Sequence, residues 1–337
     1  MKVGIIGASG YTGAELLRLL AGHPSLEVAV ATADTNAGQR AADLYPSLAT
    51  AYPDLVLGAA DAEGMDGLDL VFLALPHGQS QDLVPRLRTR VGHIVDLAAD
   101  FRLKDAGLYP VWYGSEHRCP ELLEEFSFGI PELFREDLGG APLVAVAGCY
   151  VTAAALALAP FARAGAIDTR GVIVDAASGV SGAGRTLRQT SHFATVDEDF
   201  VAYSVLDHRH TPEIEQASGT QIVFTPHLAP MTRGILATCY ARPTTAGSTA
   251  AALDLLHDFY ADEPFVVVGP QPPSTKATWG SNCVHLTARV DPRTGWLIVL
   301  SALDNLVKGA SGQAVQCANL ALQLPETTGL PRVGVYP

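Results

Sequence analysis

Cys149 is the residue of this 337-residue chain whose type and position best suit covalent chemistry. It follows Gly148, which permits a sharp turn, and Thr152 lies in the next helical turn, where its hydroxyl would cap the helix or bind a ligand. Apolar runs before and after it predict a buried strand and a buried helix, so the thiol would lie at a helix N-terminus. There the helix dipole and the unpaired N–H groups favour the thiolate, a soft nucleophile. The alternative is a small buried cysteine of structural use. That is our interpretation of the other four, Cys119, Cys239, Cys283 and Cys317.

A glycine-rich segment at residues 7–13, GASGYTG, follows the first strand pattern and opens the first helix pattern. Glycines there allow a tight turn and close approach of the backbone to a pyrophosphate, whose charge the helix N-terminus stabilises. The spacing is G-x-x-G-x-x-G rather than the commoner G-x-G-x-x-G, and a plain strand-to-helix turn is the alternative. We predict a dinucleotide site here. Its candidate contacts are Gly7, Ser9, Gly10, Tyr11, Thr12 and Gly13.

The choice between NAD and NADP stays open from these residues alone. Asp34 follows Gly13 by about 20 residues, where an acid would accept the ribose hydroxyls of NAD. Thr32 and Arg40 would instead serve the 2′-phosphate of NADP, and Asp34 would then cap a loop.

A thiolate working with a nicotinamide cofactor forms an adduct with an activated acyl group or an aldehyde, and an acid/base is needed at the carbonyl oxygen. Of the ten histidines, His227 suits this role best, because prolines bracket its irregular stretch and would hold the side chain rigidly. A surface histidine in a loop is the alternative. Arg233, in the same stretch, is a candidate for binding substrate.

Two further segments are candidate anion sites. The segment SGVSGAGR at 178–185 follows a buried strand and would present N–H groups and hydroxyls to a phosphate or carboxylate, with a flexible loop as the alternative. Its candidate residues are Ser178, Gly179, Ser181 and Gly182. Arg102 follows a strand at the sheet edge where α/β proteins bind ligands; it would hold a phosphate in a fork or pair with a nearby aspartate.

The segment DHRHTPE at 207–213 has histidines at metal-ligand spacing, yet we predict no metal. No second ligand cluster accompanies it, and its Thr-Pro pair is typical of a helix start. We interpret it as a charged segment facing the substrate, with His210 and Glu213 as candidates.

The elements that must position these residues change in character along the chain. Strand-like runs alternate with helical patterns in the first half, which predicts an α/β Rossmann-type domain with a parallel sheet. After about residue 171 strand-like runs follow one another, which predicts an α+β domain with a mainly antiparallel sheet for catalysis and dimerisation. A last helix, Ala314–Leu322, is apolar and is expected to return to the first domain. We therefore expect residues 1–147 and 311–337 to bind the dinucleotide, and 148–310 to form the catalytic and oligomerisation domain.

Composition excludes several classes of protein. With 48% apolar residues the chain can bury substantial cores, and its net charge of −13 argues against nucleic acid as a partner. The scattered cysteines and an N-terminus without a signal-peptide pattern predict a cytoplasmic protein. An uncharged run at 139–162 is long enough to span a membrane, but polar residues and Pro160 interrupt it, so we predict a strand, a turn and a helix.

Taken together, the motifs resemble the N-acetyl-γ-glutamyl-phosphate reductases, a family related to the aspartate-semialdehyde dehydrogenases. The resemblance covers essentially the whole chain. It rests on GASGYTG at 7–13, LALPHG at 73–78, DLAADFRL at 96–103, GCYVT at 148–152, SGVSGAGR at 178–185, HRHTPEI at 208–214, PHLAPMTRGI at 226–235 and DNLVKGASGQAVQ at 304–316.

The resemblance implies an NADPH-dependent reduction of an acyl phosphate in arginine biosynthesis, with Cys149 as nucleophile and His227 as acid/base. It implies an acyl-phosphate pocket that includes Arg102 and the 178–182 loop. Asn305 and Gly309 would line the nicotinamide site, Pro76 joins the cofactor contacts, and a homodimer or homotetramer is expected. The family's usual prolines on either side of the Gly-Cys-Tyr are Ala147 and Val151 here, which predicts a less rigid turn with activity retained.

Two rivals stay open. One is a sister reductase acting on a carrier-protein-linked aminoadipyl or glutamyl phosphate; that branch tends to lack the PHLxPM stretch and the aromatic residue after the cysteine, so Tyr150 and His227 argue against it. The other is a non-catalytic NADP-binding sensor, which has no need of a reactive thiol.

Overall fold

The computed structural model describes residues 1–59, 64–245 and 247–337. They form two compact units. The first unit contains Met1–Ala147 and Ala310–Leu330, and the second contains Gly148–Gly309 and Pro331–Pro337. The final seven residues, expected in the first unit, thus lie in the second, because their backbone bonds there: Asn282 N–H donates to the Pro331 carbonyl at 2.8 Å and Val335 N–H to the Trp279 carbonyl at 2.7 Å.

Within its described residues, the first unit holds a seven-stranded sheet in the order β3-β2-β1-β4-β5-β7-β6. Every neighbouring pair is parallel. Strands β4 and β7 are apolar and buried at every position because a parallel sheet is covered on both faces. The strands are β1 (Lys2–Ile6), β2 (Glu27–Ala33), β3 (Gly58–Ala59), β4 (Leu70–Leu73), β5 (His93–Asp96), β6 (Ser127–Gly129) and β7 (Leu143–Val146).

Helices of the first unit pack on this sheet. The last of them returns from the far end of the chain, as expected, and contacts α1, α5 and strands β5 to β7. A polar side chain of this helix is hydrogen-bonded inside the unit: the Gln316 amide donates to the buried Glu132 carboxylate at 3.1 Å. The helices are α1 (Tyr11–Leu20), α2 (Ala41–Leu44), α3 (Ser80–Leu87), α4 (Leu108–Tyr113), α5 (Pro131–Leu138) and α10 (Gly312–Ala321).

The described residues of the second unit form another seven-stranded sheet, in the order β12-β13-β14-β11-β8-β10-β9. Four of its six pairings are antiparallel, and β8–β10 and β12–β13 are parallel. The predicted fold class, a Rossmann-like domain plus a domain with a mainly antiparallel sheet, is confirmed. The strands are β8 (Val172–Gly179), β9 (Val201–Ala202), β10 (Ile222–Ala229), β11 (Ile235–Ala241), β12 (Val266–Val268), β13 (Val284–Val290) and β14 (Leu297–Leu303).

Buried and half-buried residues alternate along β8 and β11, so one face of this sheet packs inward and the other stays more open. Helices α6 (Cys149–Arg163), α8 (His210–Ser218) and α9 (Thr249–Phe259) cover the inner face. The short helix α7 (Phe193–Val196) has no buried residue, and a π-helical turn follows β14 at Val307–Ser311.

Helix α6 is the buried centre of the second unit. Residues 150–161 are all buried, and five of them are alanines, whose small side chains allow neighbouring elements to approach closely. The uncharged run at 139–162 is thus a strand, a turn and a helix, as predicted, although α6 begins at Cys149 rather than near Thr152. Within residues 1–59, 64–245 and 247–337, no helix is both long and apolar enough to cross a bilayer.

Candidate active site

The glycine-rich turn after β1 has no room for side chains at two of its glycines. Gly7 has a φ of +93°, and a Cβ there would lie 2.3 Å from the Ala74 carbonyl oxygen. At Gly13 it would lie 2.4 Å from the Gly7 carbonyl oxygen. The Gly7 and Ala8 N–H groups donate to the Thr32 carbonyl at 3.1 and 2.7 Å, which holds the turn against β2. The start of α1 therefore lies in a narrow cradle that suits a pyrophosphate.

The remaining glycine-loop candidates surround this cradle. Gly10 is the N-cap of α1 and has no side chain to cap the helix. The half-exposed Tyr11 is the first helical residue. The Ser9 carbonyl accepts from the Tyr45 hydroxyl at 2.8 Å, and the Thr12 carbonyl accepts from the Ser311 hydroxyl at 2.8 Å. Pro76 lies in the turn between β4 and α3.

The candidates for the adenosine ribose lie at the end of β2. The Thr32 hydroxyl is buried, with no hydrogen-bond partner among the described residues. Asp34 is exposed directly after the strand. The exposed Arg40 guanidinium donates to both carboxylate oxygens of Asp43, at 3.0 and 2.8 Å, and this pairing raises its pKa. A 2′-phosphate would have to share Arg40 with Asp43.

Two buried aspartates lie at the carboxyl end of β5: Asp96 is its last residue, and Asp100 follows it. Asp100 accepts from the N–H groups of Gly78 and Ser80 at 2.6 and 2.8 Å, next to the start of α3, and from His77 at 2.6 Å. Burial acts to raise the pKa of Asp100, but these donors outweigh it and hold the pKa below its ordinary value. Asp96 accepts from the Ser80 hydroxyl at 2.9 Å; burial, and then the charge of Asp100, raise its pKa to about 7.

Arg102 lies beside these aspartates in the first unit. It is buried, and its Nη2 donates to the Leu97 carbonyl at 2.7 Å. Its charge acts to lower the pKa of Asp96. The structure therefore places Arg102 in a buried, charged cluster at the carboxyl end of the parallel sheet.

In the second unit, Cys149 is the first residue of α6 and is half-buried. Gly148, in extended conformation, precedes it, and the Thr152 hydroxyl donates to the Gly148 carbonyl at 3.2 Å. The Thr152 hydroxyl therefore bonds within the first turn of α6. Gly309 packs directly on the thiol residue: a Cβ there would lie 2.8 Å from the Cys149 Cβ. Cys149 therefore lies at the start of α6 and packs against the backbone of Gly309.

A chain of hydroxyl groups links this helix start to the strand that carries His227. The Tyr203 hydroxyl donates to the Tyr150 hydroxyl at 3.2 Å, and Tyr150 donates to the His227 carbonyl at 3.0 Å. Burial raises the pKa of Tyr203 to about 12 and raises that of Tyr150 further. Both phenols therefore stay protonated and remain donors at neutral pH. The His227 ring itself stacks on Phe200, with ring centroids 5.1 Å apart.

Further aromatic rings surround Tyr150. His208 and His210 present their rings edge-on to it at 5.7 and 6.0 Å. Burial, together with the charge of Arg209, lowers the pKa of His208 to about 4, so this imidazole is neutral at pH 7. Glu213 is completely buried one turn into α8. The HRHTPEI motif therefore lies against the residue that follows the thiol.

The 178–182 loop differs from the expected anion site. The N–H groups of Gly179, Val180 and Ser181 donate to the carbonyls of residues 234, 231 and 232 at 2.9 to 3.1 Å. Those three groups are therefore occupied and do not form a cradle for an anion. Close packing explains this, because a Cβ at Gly179 would lie 2.7 Å from the Arg233 N–H nitrogen, and a Cβ at Gly182 would lie 2.9 Å from the Ser178 hydroxyl.

Asn305 joins the 178–182 loop to Gly234, which precedes β11. Its side-chain amide donates to the Ser181 hydroxyl at 2.9 Å, and its oxygen accepts from the Gly234 N–H at 2.8 Å. Arg233 pairs with the buried Asp304 at 3.5 Å. Both polar groups of the Asn305 side chain therefore bond to the protein, and its contact with the cofactor stays a prediction.

The structure packs Gly309 on Cys149 and Gly182 on Ser178, and it bonds Ser181 and Arg233 to the neighbouring residues Asn305 and Asp304. It adds residues that the sequence reasoning missed, above all Tyr203 and Asp304. Tyr203 meets Tyr150 across 53 positions of sequence, so no local pattern signals the contact. In the described part of the chain no group of three or more His, Cys, Asp or Glu side chains is arranged to hold a metal ion.

Comparison with known proteins gives two family models. Residues 2–141 match the NAD-binding domain of semialdehyde dehydrogenases, and residues 149–305 match their dimerisation domain. Two curated relatives are called N-acetyl-gamma-glutamyl-phosphate reductase. That of Symbiobacterium thermophilum is 51% identical, with 100% of this chain and 99% of the relative covered. That of Desulforudis audaxviator is 49% identical, with both chains fully covered.

Solved structures are similar in fold at low identity. Aspartate semialdehyde dehydrogenase II of Vibrio cholerae superposes with a TM-score of 0.72 at 15% identity, covering 96% of this chain and 98% of its own. The NADP-bound aspartate semialdehyde dehydrogenase of Candida albicans superposes with a TM-score of 0.67 at 16% identity, covering 95% and 97%.

Proposed function

This chain belongs to the semialdehyde dehydrogenase family, among the N-acetyl-γ-glutamyl-phosphate reductases, and we propose that it reduces N-acetyl-γ-glutamyl phosphate with NADPH. The products are N-acetyl-L-glutamate 5-semialdehyde and phosphate, a step of arginine biosynthesis. The family resemblance drawn from the motifs is confirmed. The observation that carries the proposal is the half-buried thiol of Cys149 at the start of α6, with Gly309 packed against it and Tyr150 bonded to the His227 backbone.

Cys149 starts the reaction. Its thiolate, favoured at the helix start, attacks the γ-carbonyl carbon; a C–S bond forms, and the C–O bond to phosphate breaks with its electron pair leaving on phosphate. The product is a thioester on Cys149. When bound, NADPH supplies the hydride that converts this thioester into a thiohemiacetal.

His227 handles the proton at the substrate oxygen. It protonates the oxyanion and takes the proton back as the C–S bond breaks, which returns the electron pair to sulfur and releases the aldehyde. The hydrogen bond from Tyr150 to the His227 carbonyl supports this role, because it fixes the strand backbone relative to the helix that carries Cys149.

Candidates for substrate binding are Arg102, Ser178, Gly179, Ser181, Gly182, His210, Glu213 and Arg233. Ser181 and Arg233 are supported by their rigid attachment to Asn305 and Asp304. Gly179 and Gly182 act by permitting close packing, since their neighbours leave no space for a side chain.

The first unit, Met1–Ala147 and Ala310–Leu330, would bind the cofactor. The cradle formed by Gly7 and Gly13 fits a pyrophosphate because a Cβ at either position would collide with backbone. Ser9, Gly10, Tyr11, Thr12 and Pro76 line the same turns, and the buried hydroxyl of Thr32 supports a ribose contact. NADP rather than NAD is supported by the Candida albicans relative in fold, with Arg40 as the residue for the 2′-phosphate. Asn305 and Gly309 are kept as nicotinamide candidates.

The activity is tested in reverse. Phosphate-dependent reduction of NADP should proceed with N-acetylglutamate semialdehyde and be much slower with aspartate semialdehyde. Preference for aspartate semialdehyde would overturn the substrate assignment, and activity only with a carrier-protein-linked semialdehyde would favour the sister reductase.

The nucleophile is tested by Cys149→Ser. We expect loss of reduction with NADPH binding nearly unchanged, measured by turnover and by fluorescence titration of NADPH. Full activity of the variant would contradict the role of Cys149, and tight NADPH binding without any turnover by the parent chain would favour the sensor.

We also propose that the chain forms a homodimer or homotetramer in the cytoplasm through its second unit. The open face of the second sheet supports this, because Ile173, Tyr240, Trp296 and Ile298 line a groove of about 390 Å³ there. The match of residues 149–305 to a dimerisation domain supports the same surface. The absence of a disulfide among the five cysteines, all of them described, agrees with a reducing compartment.

A further inference from the structure

An exposed segment of the second unit, residues 185–206, is called the arm below. It carries the short helix α7 and ends with strand β9. It presents many large apolar side chains to solvent; Leu187 is 87% exposed and Phe193 81%. The full set is Leu187, Phe193, Phe200, Val201, Val205 and Leu206. Apolar side chains concentrated in one exposed segment mark an interaction surface.

The backbone of the arm is strained near its end. Glu198, Ser204 and Leu206 have φ values of +63°, +44° and +70°. Residues with a Cβ rarely adopt this left-handed region, and they stay there only where surrounding structure holds them. Since the side chains of all three residues are exposed, their own unit supplies little of that support.

This same stretch touches the proposed active site. Phe200 stacks on the ring of His227, with an interplanar angle of 8°. Tyr203 donates its hydroxyl to Tyr150 and its N–H to the Pro226 carbonyl at 3.1 Å. Strand β9 pairs with β10 through only two residues, Val201 and Ala202. The ring that stacks on His227 and the hydroxyl that donates to Tyr150 therefore both come from a weakly anchored segment.

Charge in the arm is separated along its length. Arg185, Arg188 and His192 lie in its first half, and Asp197, Glu198 and Asp199 lie in its second half, all exposed. In a two-fold contact residue i of one copy meets residue j of the other, and j meets i. If two arms pack antiparallel, the basic half of each arm therefore lies against the acidic half of the other.

We infer that the arm docks on the arm of a second copy of this chain, and that this contact holds Phe200 and Tyr203 against His227 and Tyr150, so that full activity requires the assembly. The partner is a second copy of this chain because the charges of the arm are self-complementary. The match of residues 149–305, which include the arm, to a dimerisation domain supports the same partner. Docking of the arms does not depend on the proposed function. Only the link between docking and activity rests on it.

The first test is the double variant Leu187→Asp, Phe193→Asp in the full chain. We expect the dissociation constant of the assembly to rise about tenfold or more, because charge replaces apolar side chains in both arms. Sedimentation velocity should show a smaller assembly, and activity per chain should fall on dilution and return at high protein concentration. The matched control is Val111→Asp, 73% exposed in the first unit, which should behave as the parent chain.

The second test exchanges the charges. Arg185→Glu with Arg188→Glu makes the arm acidic throughout and should weaken association in the same way. Adding Asp197→Lys and Asp199→Lys restores opposite halves and should restore both association and activity. Rescue within one chain identifies the partner as a second copy, whereas a foreign partner predicts that both variants associate like the parent chain.

Two outcomes would overturn the inference. Unchanged sedimentation of the Leu187→Asp, Phe193→Asp variant would contradict docking of the arms, and dissociation with undiminished activity per chain would contradict the link to the active site. Failure of the proposed function is distinguishable, because it would appear as an inactive parent chain whose sedimentation still responds to the arm variants.

Discussion

At the scale of single residues, the cysteines differ in burial. Cys149 is half-buried at a helix start, whereas Cys119, Cys239, Cys283 and Cys317 are buried. Burial raises the pKa of Cys119 to about 11 and that of Cys239 to about 12. At a pKa near 11, about one thiol in ten thousand is ionised at pH 7, and only the thiolate reacts.

We therefore expect iodoacetamide at pH 7 to modify Cys149 first. Peptide mass spectrometry over time should show this residue alkylated well before the other four, together with loss of turnover. In Cys149→Ser the overall rate of alkylation should fall to that of the buried thiols. Equally rapid modification of Cys119 or Cys283 would speak against a selectively reactive thiol.

Asp96 makes the stability of the chain depend on pH. Its pKa is about 7 in the folded chain against 3.8 as its ordinary value, because burial and the charge of Asp100 disfavour the carboxylate. The folded state therefore binds an extra proton between these values, so this contribution to stability is present at low pH and is lost as the pH rises towards 7.

Replacing Asp96 by Asn should remove this dependence, because the amide keeps an oxygen for the Ser80 hydroxyl and carries no charge. Thermal unfolding of Asp96→Asn should lose less stability than the parent chain between pH 5 and pH 8. Asp66→Asn is the control, since pairing with Arg90 lowers the pKa of Asp66 and moves its titration below this window. Identical pH slopes for Asp96→Asn and the parent chain would contradict the shift.

At the scale of elements, the turn after β14 and the start of α6 depend on each other. A Cβ at Gly309 would lie 2.8 Å from the Cys149 Cβ and 3.2 Å from a Leu303 methyl carbon. Real Cβ atoms do not approach this closely, so the start of α6 would have to shift. The position of the thiol therefore requires glycine at 309.

We expect Gly309→Ala to lower kcat about a hundredfold, because small displacements of a reacting group are costly. NADPH binding measured by fluorescence should change much less. The control is Gly269→Ala in the same unit, where nothing lies within 4 Å of the added Cβ. Parent-like kcat in Gly309→Ala would show that the thiol tolerates the shift.

At the scale of the whole molecule, each unit has its own sheet and its own core, and the second sheet leaves one face open. Half-buried residues such as Ile173 and Tyr240 line this face, and Arg242 lies 3.9 Å from the centre of the Trp296 ring. A face of this composition suits contact with another subunit better than contact with water.

Ile298→Asp should therefore reduce the size of the assembly, because a charge would be buried in the contact. Size-exclusion chromatography with light scattering would measure the mass, with Val111→Asp as the control of equal chemical change. An unchanged mass for Ile298→Asp would place the interface elsewhere on the second unit.

The sequence alone determined most of the fold and the identity of the candidate nucleophile. The succession of strand and helix patterns predicted the parallel sheet and the mainly antiparallel sheet, because strand and helix periodicity is local information. The apolar surface of the last helix predicted its return to the first unit. The sequence also predicted the strand-to-helix junction before α6, although the helix begins at Cys149 itself. Short elements such as β3, β6 and β9 were missed, since two or three residues show no period.

Only the tertiary structure decided what surrounds the thiol. Hydrogen bonds from Tyr203 to Tyr150, and from Tyr150 to the carbonyl of residue 227, join positions more than 50 residues apart. The same is true of the 178–182 loop, whose N–H groups bond to residues 231–234 instead of an anion. Local sequence patterns predict elements, but side-chain partners and occupied donors depend on which distant backbone each element packs against, and that is settled only when the chain folds.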